Sequence, residues 1–125
     1  MTIGYLDGSA LAVIMKPGDP GERGAKVWGV FDLACTHQLS EVEVPSEIGR
    51  SMNRFSWVWA MNLLSVVSMT EEIQSKAIDL AWFGAPASVA MHIAAAEVVG
   101  ADHFLTANTV SESWSTLRGL NTIRI

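Results

Sequence analysis

Near its start the chain reads IGYLDGSAL (residues 3–11), and this stretch decides the fold. It predicts a short buried strand that runs directly into an acid, a glycine and a hydroxyl, followed by an apolar helix over Ala10 to Met15. Open α/β sheets bind ligands in the crevice at the carboxyl ends of their strands, so Asp7 stands where such a sheet places its chemistry. We expect Gly8 to allow the turn and Ser9 to cap the helix. Taken alone, the stretch is better explained by a strand, a turn and a cap with a solvated Asp7.

The charge balance bounds the classes of function. The chain has a formal net charge of −5, from 8 Lys and Arg against 13 Asp and Glu. This balance argues against a general nucleic-acid binder, which presents a basic face. It leaves open an enzyme that reaches a phosphodiester through metal ions held by carboxylates. Cys35 is the only cysteine, which excludes an intrachain disulfide and a thiolate zinc site, and we interpret it as a small buried hydrophobic residue.

Length and apolar patterning predict one soluble domain over residues 1–125. No apolar run approaches the roughly 20 residues of a membrane-spanning helix, and the first residues lack a signal-peptide pattern, so we expect a cytoplasmic protein. Five Trp and six Met are many for this length. Large aromatic and Met side chains are enriched at interfaces, so we expect a homodimer through a helix over Met52–Met61, with Trp57 or Trp59 as anchor.

Predicted strands and helices alternate along the whole chain, which favours a parallel sheet with helices on both faces. After the first helix we predict a helix from Glu22 to Ala34 and a strand at Gln38–Ser40. One long helix is expected to follow, with Pro45 in its first turn and its end near Met61. The remaining strands are predicted at 63–67, 103–106 and 122–125. The remaining helices are predicted at 70–80 and 87–99, and a last helix with Trp114 and Leu117 ends near Arg118.

The long predicted helix carries an acid and two arginines at spacing i, i+3 and i+7, namely Glu47, Arg50 and Arg54. Residues at this spacing share one helix face. They form either an ion-pair ladder, which contributes little stability, or a metal ligand beside phosphate contacts. His92 lies on a helix that is apolar on nearly every side, and we interpret it as a core histidine with one hydrogen bond.

Five segments stand in a characteristic order along the chain: YLDGSAL (5–11), SEIGR (46–50), AMHIA (90–94), GADHFLTAN (100–108) and RGL (118–120). In this order they resemble the PIN-domain proteins of the VapC type, the toxin half of bacterial toxin–antitoxin pairs. The resemblance implies a three-layer α/β/α, RNase H-like fold with a five-stranded parallel sheet of order 3-2-1-4-5. It also implies a metal-dependent endoribonuclease, with three or four carboxylates around Mg²⁺ or Mn²⁺ and a small antitoxin protein as partner.

Carried over position by position, the resemblance matches Asp7 to the first acid and Glu47 to the second. The third acid is replaced by Val89 and the fourth by Asn108. We therefore expect Asp7 and Glu47 as metal ligands and Asn108 as an outer ligand. The supporting residues implied are the hydroxyls of Ser9 and Thr106 beside the ligands, and Arg50 and Arg54 on RNA phosphates.

Two hypotheses follow from this incomplete set of acids. The first is a VapC-like endoribonuclease with weakened or lost activity, because two carboxylates and an amide hold at most one Mg²⁺ that keeps several waters. The second is a catalytically inactive PIN-like protein that acts by binding an antitoxin or a second copy of itself. A doubly wound nucleotide-binding domain is disfavoured, because no glycine-rich phosphate loop follows the first strand.

Overall fold

The structure is a computed structural model that describes residues 1–49 and 54–125. A five-stranded sheet forms its centre, in the order β3-β2-β1-β4-β5, and every neighbouring pair is parallel. The strands are β1 Ile3–Leu6, β2 Leu33–His37, β3 Ser65–Val67, β4 His103–Thr106 and β5 Thr122–Arg124. The predicted α/β class and strand order are confirmed.

Helices cover both faces of this sheet. They are α1 Gly8–Met15, α2 Asp19–Trp28, α3 Ser40–Ile48, α4 Arg54–Leu63, α5 Glu71–Trp82, α6 Ala87–Val98 and α7 Thr109–Leu117. Successive strand residues point to opposite faces. Tyr5 and Phe104 accordingly pack in a core with α5 and α6, whereas Leu6 and Leu105 pack in a second core with α1 and α3. The result is three layers with β1 at the centre.

The second strand corrects the sequence prediction. Helix α2 ends at Trp28 rather than near Ala34, and β2 occupies Leu33–His37 in place of the predicted strand at Gln38–Ser40. A short apolar run does not distinguish a strand from a buried helix by periodicity. Pairing with β1 decides this case, because Leu33 lies opposite Ile3 in the parallel register.

The single long helix predicted after β2 is also wrong. Helix α3 begins at Ser40, carries Pro45 inside it and ends at Ile48, before Gly49, whose φ of +50° is not helical and favours glycine. The next described helix, α4, is Arg54–Leu63. Proline lacks the N–H for one helical bond, and in a helix this short the loss is confined to one turn. The predictions for Arg50 and Met52 fall outside the described residues.

The helices are short. Among the described residues, none is both long enough and apolar enough to cross a lipid bilayer.

Candidate active site

A pocket opens at the carboxyl edge of the sheet, where β1 and β4 end. Its lining is mostly acidic and hydroxylic and consists of Asp7, Gly8, Ser9, Glu43, Glu47, Ser88, Val89, His92, Asn108 and Ser111. Parallel strands bring their carboxyl ends to one edge, and α3 and α6 supply the facing walls. The fold thus brings together Asp7, Glu47 and Asn108, the three residues that the sequence assigns to a site.

Asp7 is buried and its carboxylate is held on both oxygens. Oδ1 accepts hydrogen bonds from Ser9 Oγ at 2.7 Å and from the Ala10 backbone N at 2.9 Å, and Oδ2 accepts one from Thr106 Oγ1 at 2.6 Å. Asp7 therefore caps α1 itself, which corrects the prediction that Ser9 is the cap. Ser9 instead accepts a bond from the Ala107 N–H at 2.9 Å. The two predicted hydroxyls hold the buried carboxylate in one orientation at the pocket.

Asn108 lines the pocket and lies immediately before α7. Its Oδ1 accepts hydrogen bonds from the backbone N–H groups of Val110 at 2.8 Å and Ser111 at 3.2 Å, which makes it the N-cap of α7. A carbonyl oxygen has two lone pairs, and the cap uses both. Asn108 thus lines the pocket, but its carbonyl oxygen serves the helix.

Glu43 is the pocket acid that sequence reasoning missed. It lies one turn before Glu47 on α3, and its Oε1 is in contact with His92 Nε2. A Cβ built on Gly8 would come within 2.8 Å of Glu43 Oε1, so this carboxylate lies against the residue that follows Asp7. The available signal was the i, i+4 spacing of Glu43 and Glu47, which places both acids on one helix face.

His92 is buried, as predicted, but it has two partners and borders the pocket. Its side chain is 3 % exposed; Nδ1 lies 2.7 Å from the hydroxyl of Tyr5, and Nε2 contacts Glu43. Tyr5 is fully buried, and burial, reinforced by the negative charge of Asp7, raises the pKa of Tyr5 well above its ordinary value. The tyrosine therefore keeps its proton at neutral pH and can donate it in a hydrogen bond.

A second buried histidine lies behind this pair. The ring centroids of His37 and His92 are 6.5 Å apart, and His37 Nδ1 accepts a hydrogen bond from the Leu39 backbone N–H at 3.0 Å. Burial, reinforced by the neighbouring His92 ring, lowers the pKa of His37. His37 is thus neutral at pH 7. Of these side chains, Glu43 is the one exposed to the pocket.

Three other positions are singled out in the sequence, namely Val89, Arg50 and Arg54. Val89 is buried and forms an apolar part of the pocket wall where the resemblance expects an acid. Arg50 lies outside the described residues, and the Arg54 side chain lies outside them as well, although its backbone opens α4.

The donor set decides which metal centre the pocket fits. In the described part of the chain, no three His, Cys, Asp or Glu side chains form a group that could hold a metal ion. Mg²⁺ commonly binds through one or two carboxylates, keeps several waters and takes further oxygens from substrate phosphates. The pocket carboxylates, Asp7 with Glu43 or Glu47, thus fit a single hydrated ion and not a two-ion centre.

This parallel sheet, with helices on both faces and an acid buried at the end of β1, has a PIN-like α/β fold. A chain of a toxin–antitoxin complex from Klebsiella pneumoniae has a TM-score of 0.78 at 13% identity, over 98% of this chain and 99% of that one. VapBC2 from Rickettsia felis, bound to a DNA fragment from its promoter, gives 0.71 at 11%, over 99% of both chains. VapBC-1 from nontypeable Haemophilus influenzae gives 0.69 at 15%, over 98% of both. No family model and no curated protein matches the sequence.

Proposed function

We propose that this chain is a VapC-like PIN-domain protein, the toxin component of a toxin–antitoxin pair, with weak metal-dependent endoribonuclease activity. The observation that carries the proposal is the Asp7 carboxylate, held by Ser9 and Thr106 in an acidic pocket at the carboxyl edge of the sheet. The end-to-end likeness to chains from toxin–antitoxin complexes supports the antitoxin partner. RNA is the proposed substrate and the cytoplasm the proposed location.

The proposed ion site uses Asp7 and the acids of α3. When bound, Mg²⁺ or Mn²⁺ supplies a water of lowered pKa and stabilises negative charge on an attacked phosphodiester. Asp7 and Glu47 are the ligands proposed from the sequence, and Glu43 is added because its carboxylate lies against Gly8. Ser9 and Thr106 keep Asp7 oriented, while Arg50 and Arg54 are proposed to contact RNA phosphates.

Val89 and Asn108 explain why the proposed activity is weak. An apolar side chain and a neutral amide supply no negative charge to neutralise the ion, and the Asn108 oxygen already caps α7. Loss of one group that stabilises transition-state charge costs about 10²–10³ in rate in well-studied enzymes. Two such losses predict slow cleavage even at high metal concentration.

The test is cleavage of single-stranded RNA across a range of Mn²⁺ and Mg²⁺ concentrations. We expect slow wild-type cleavage that disappears in Asp7→Ala, and cleavage faster by at least about 10²-fold in the double variant Val89→Asp with Asn108→Asp. Because a buried Asp without a partner is destabilising, the double variant is assayed with metal present and its folding is checked by circular dichroism.

Two outcomes would contradict this proposal. Fast wild-type cleavage that is lost in Asp7→Ala would show a fully active nuclease. Absence of cleavage in both wild type and a folded double variant would remove the nuclease function.

The engaged Asn108 oxygen favours a second candidate, a catalytically inactive PIN-like protein that works by binding. Its partners would be an antitoxin or a second copy of the chain. Co-expression with a small protein encoded next to this gene, followed by co-purification of wild type and Asp7→Ala, tests it. Equal capture of both, together with no cleavage, would favour this candidate.

A further inference from the structure

Three buried or half-buried side chains, from three separate elements, form one hydrogen-bonded chain that ends in the pocket. Tyr5 on β1 contacts His92 Nδ1 at 2.7 Å, and His92 on α6 contacts Glu43 on α3 through Nε2. The Tyr5 and His92 side chains are buried, whereas the Glu43 side chain is 28% exposed. Only the carboxylate end of the chain is thus open to a ligand.

The geometry allows one consistent set of hydrogen-bond directions. An ionised carboxylate can only accept, so with Glu43 in that form His92 Nε2–H donates to it. In the tautomer of neutral imidazole that carries its proton on Nε2, Nδ1 is an acceptor, and the Tyr5 hydroxyl, which keeps its proton, then donates to Nδ1. In this arrangement both bonds are directed toward Glu43, and one carboxylate oxygen remains for another partner.

We infer that Tyr5 and His92 are positioning residues, which hold the Glu43 carboxylate so that it can join Asp7 in binding one divalent ion. The inference rests on the proposed metal-dependent function and deepens it. Two packing features support it. First, Tyr5 is stacked on Phe104, with ring centroids 5.6 Å apart, and this packing fixes the position of the Tyr5 hydroxyl. Second, Gly8 has no Cβ, which leaves room for the Glu43 carboxylate.

The inferred role makes a quantitative prediction about metal affinity. Groups that hydrogen-bond a metal-binding side chain fix its orientation, and their loss costs about 10- to 100-fold in metal affinity. We expect His92→Ala to weaken Mn²⁺ binding by about this factor. Tyr5→Phe keeps the aromatic ring but removes the hydroxyl that selects the tautomer of His92. We expect it to weaken Mn²⁺ binding by less than about tenfold.

The measurement is Mn²⁺ titration of the RNA-free protein by calorimetry and electron paramagnetic resonance. His92→Gln is the rescue variant, because its amide N–H can donate to Glu43. Ile93→Val is the matched control: it opens a small cavity beside His92 in the same helix, but Ile93 belongs to the core and not to the pocket lining. We expect wild-type affinity in the control and most of it in the rescue.

A double-mutant cycle separates positioning from a structural role. In a Glu43→Ala background, His92→Ala should weaken Mn²⁺ binding no further, because the group that it positions is gone. Wild-type affinity in a folded His92→Ala variant would overturn the inference. So would equal losses in the presence and absence of Glu43.

Nitrogen NMR of the His92 ring provides a readout without metal or RNA. We expect a protonated Nε2 and an unprotonated Nδ1 in the wild type, and a mixture of tautomers in Tyr5→Phe. A mixture in the wild type would overturn the donor chain. If wild-type protein bound no Mn²⁺ at millimolar concentration, the metal-dependent function and the ion-binding role of Glu43 would both fail, whatever the NMR result.

Discussion

Asp7 has both a structural role and a place in the pocket. Its carboxylate caps α1, accepts bonds from the hydroxyls of Ser9 and Thr106, and faces the pocket. Three donors satisfy a charge that would be costly to bury unpaired. The same bonds that stabilise the fold therefore orient the side chain that the proposed chemistry needs.

Cys35 gives a prediction at the scale of one side chain. It is buried in β2, and burial raises the pKa of its thiol to about 11. Since only the thiolate is nucleophilic and a free thiol has a pKa of about 8.5, we expect alkylation at pH 8 to be at least about 100-fold slower than for an exposed cysteine. Iodoacetamide labelling followed by mass spectrometry measures this rate, with the urea-unfolded chain as control. Equally fast labelling of the folded protein would contradict the prediction.

At the scale of elements, the helix ends are determined by local chemistry. Thr70 caps α5 by accepting a hydrogen bond from Ile73 N at 3.2 Å, and Asn108 caps α7. Gly100 and Gly119, with φ of +69° and +79°, follow the ends of α6 and α7 in the left-handed conformation that glycine adopts without strain. These signals are readable without any tertiary contact.

The contribution of the Asn108 cap to the stability of the fold can be measured. Asn108→Ala should lower the free energy of unfolding by about 1 kcal/mol, because two N–H groups of α7 lose their acceptor. Asn108→Asp should retain the cap, since Asp is an equally good N-cap residue and its charge is favourable at a helix N-terminus. Urea unfolding followed by circular dichroism measures both. An alanine variant as stable as the aspartate variant would show that the cap contributes nothing.

At the scale of the whole molecule, the exposed aromatic surface differs from the one that the sequence suggested. Trp57 is half-buried against the core beneath α1, and the Trp59 side chain lies outside the described residues. Trp82 and Phe83, at the end of α5, are 86% and 81% exposed. Exposed large aromatic residues are enriched where proteins bind partners.

We still expect a homodimer, and the exposed end of α5 suggests the variant that tests it. Replacing Trp82 and Phe83 together by Ala should weaken self-association without unfolding the chain, because neither side chain is in the core. Sedimentation equilibrium at micromolar to high micromolar concentration measures it. Leu117→Ala, which removes another exposed apolar side chain from a different helix, is the control. A monomeric wild type would contradict the prediction.

By itself the sequence determined the alternation of elements, the strand before Asp7, and helices α5 and α6. It did so because caps, glycines and periodicity act over a few residues. It placed Asp7, Glu47 and Asn108 at one site only through order and resemblance.

The tertiary structure alone decided the extent of β2 and the pocket role of Glu43. Strand β2 is defined by its pairing with β1, about 30 residues away in sequence. Glu43 meets His92 across 49 residues, and His92 meets Tyr5 across 87. Contacts at such separations leave no local pattern, because they form only when the sheet brings β1, α3 and α6 together at one edge.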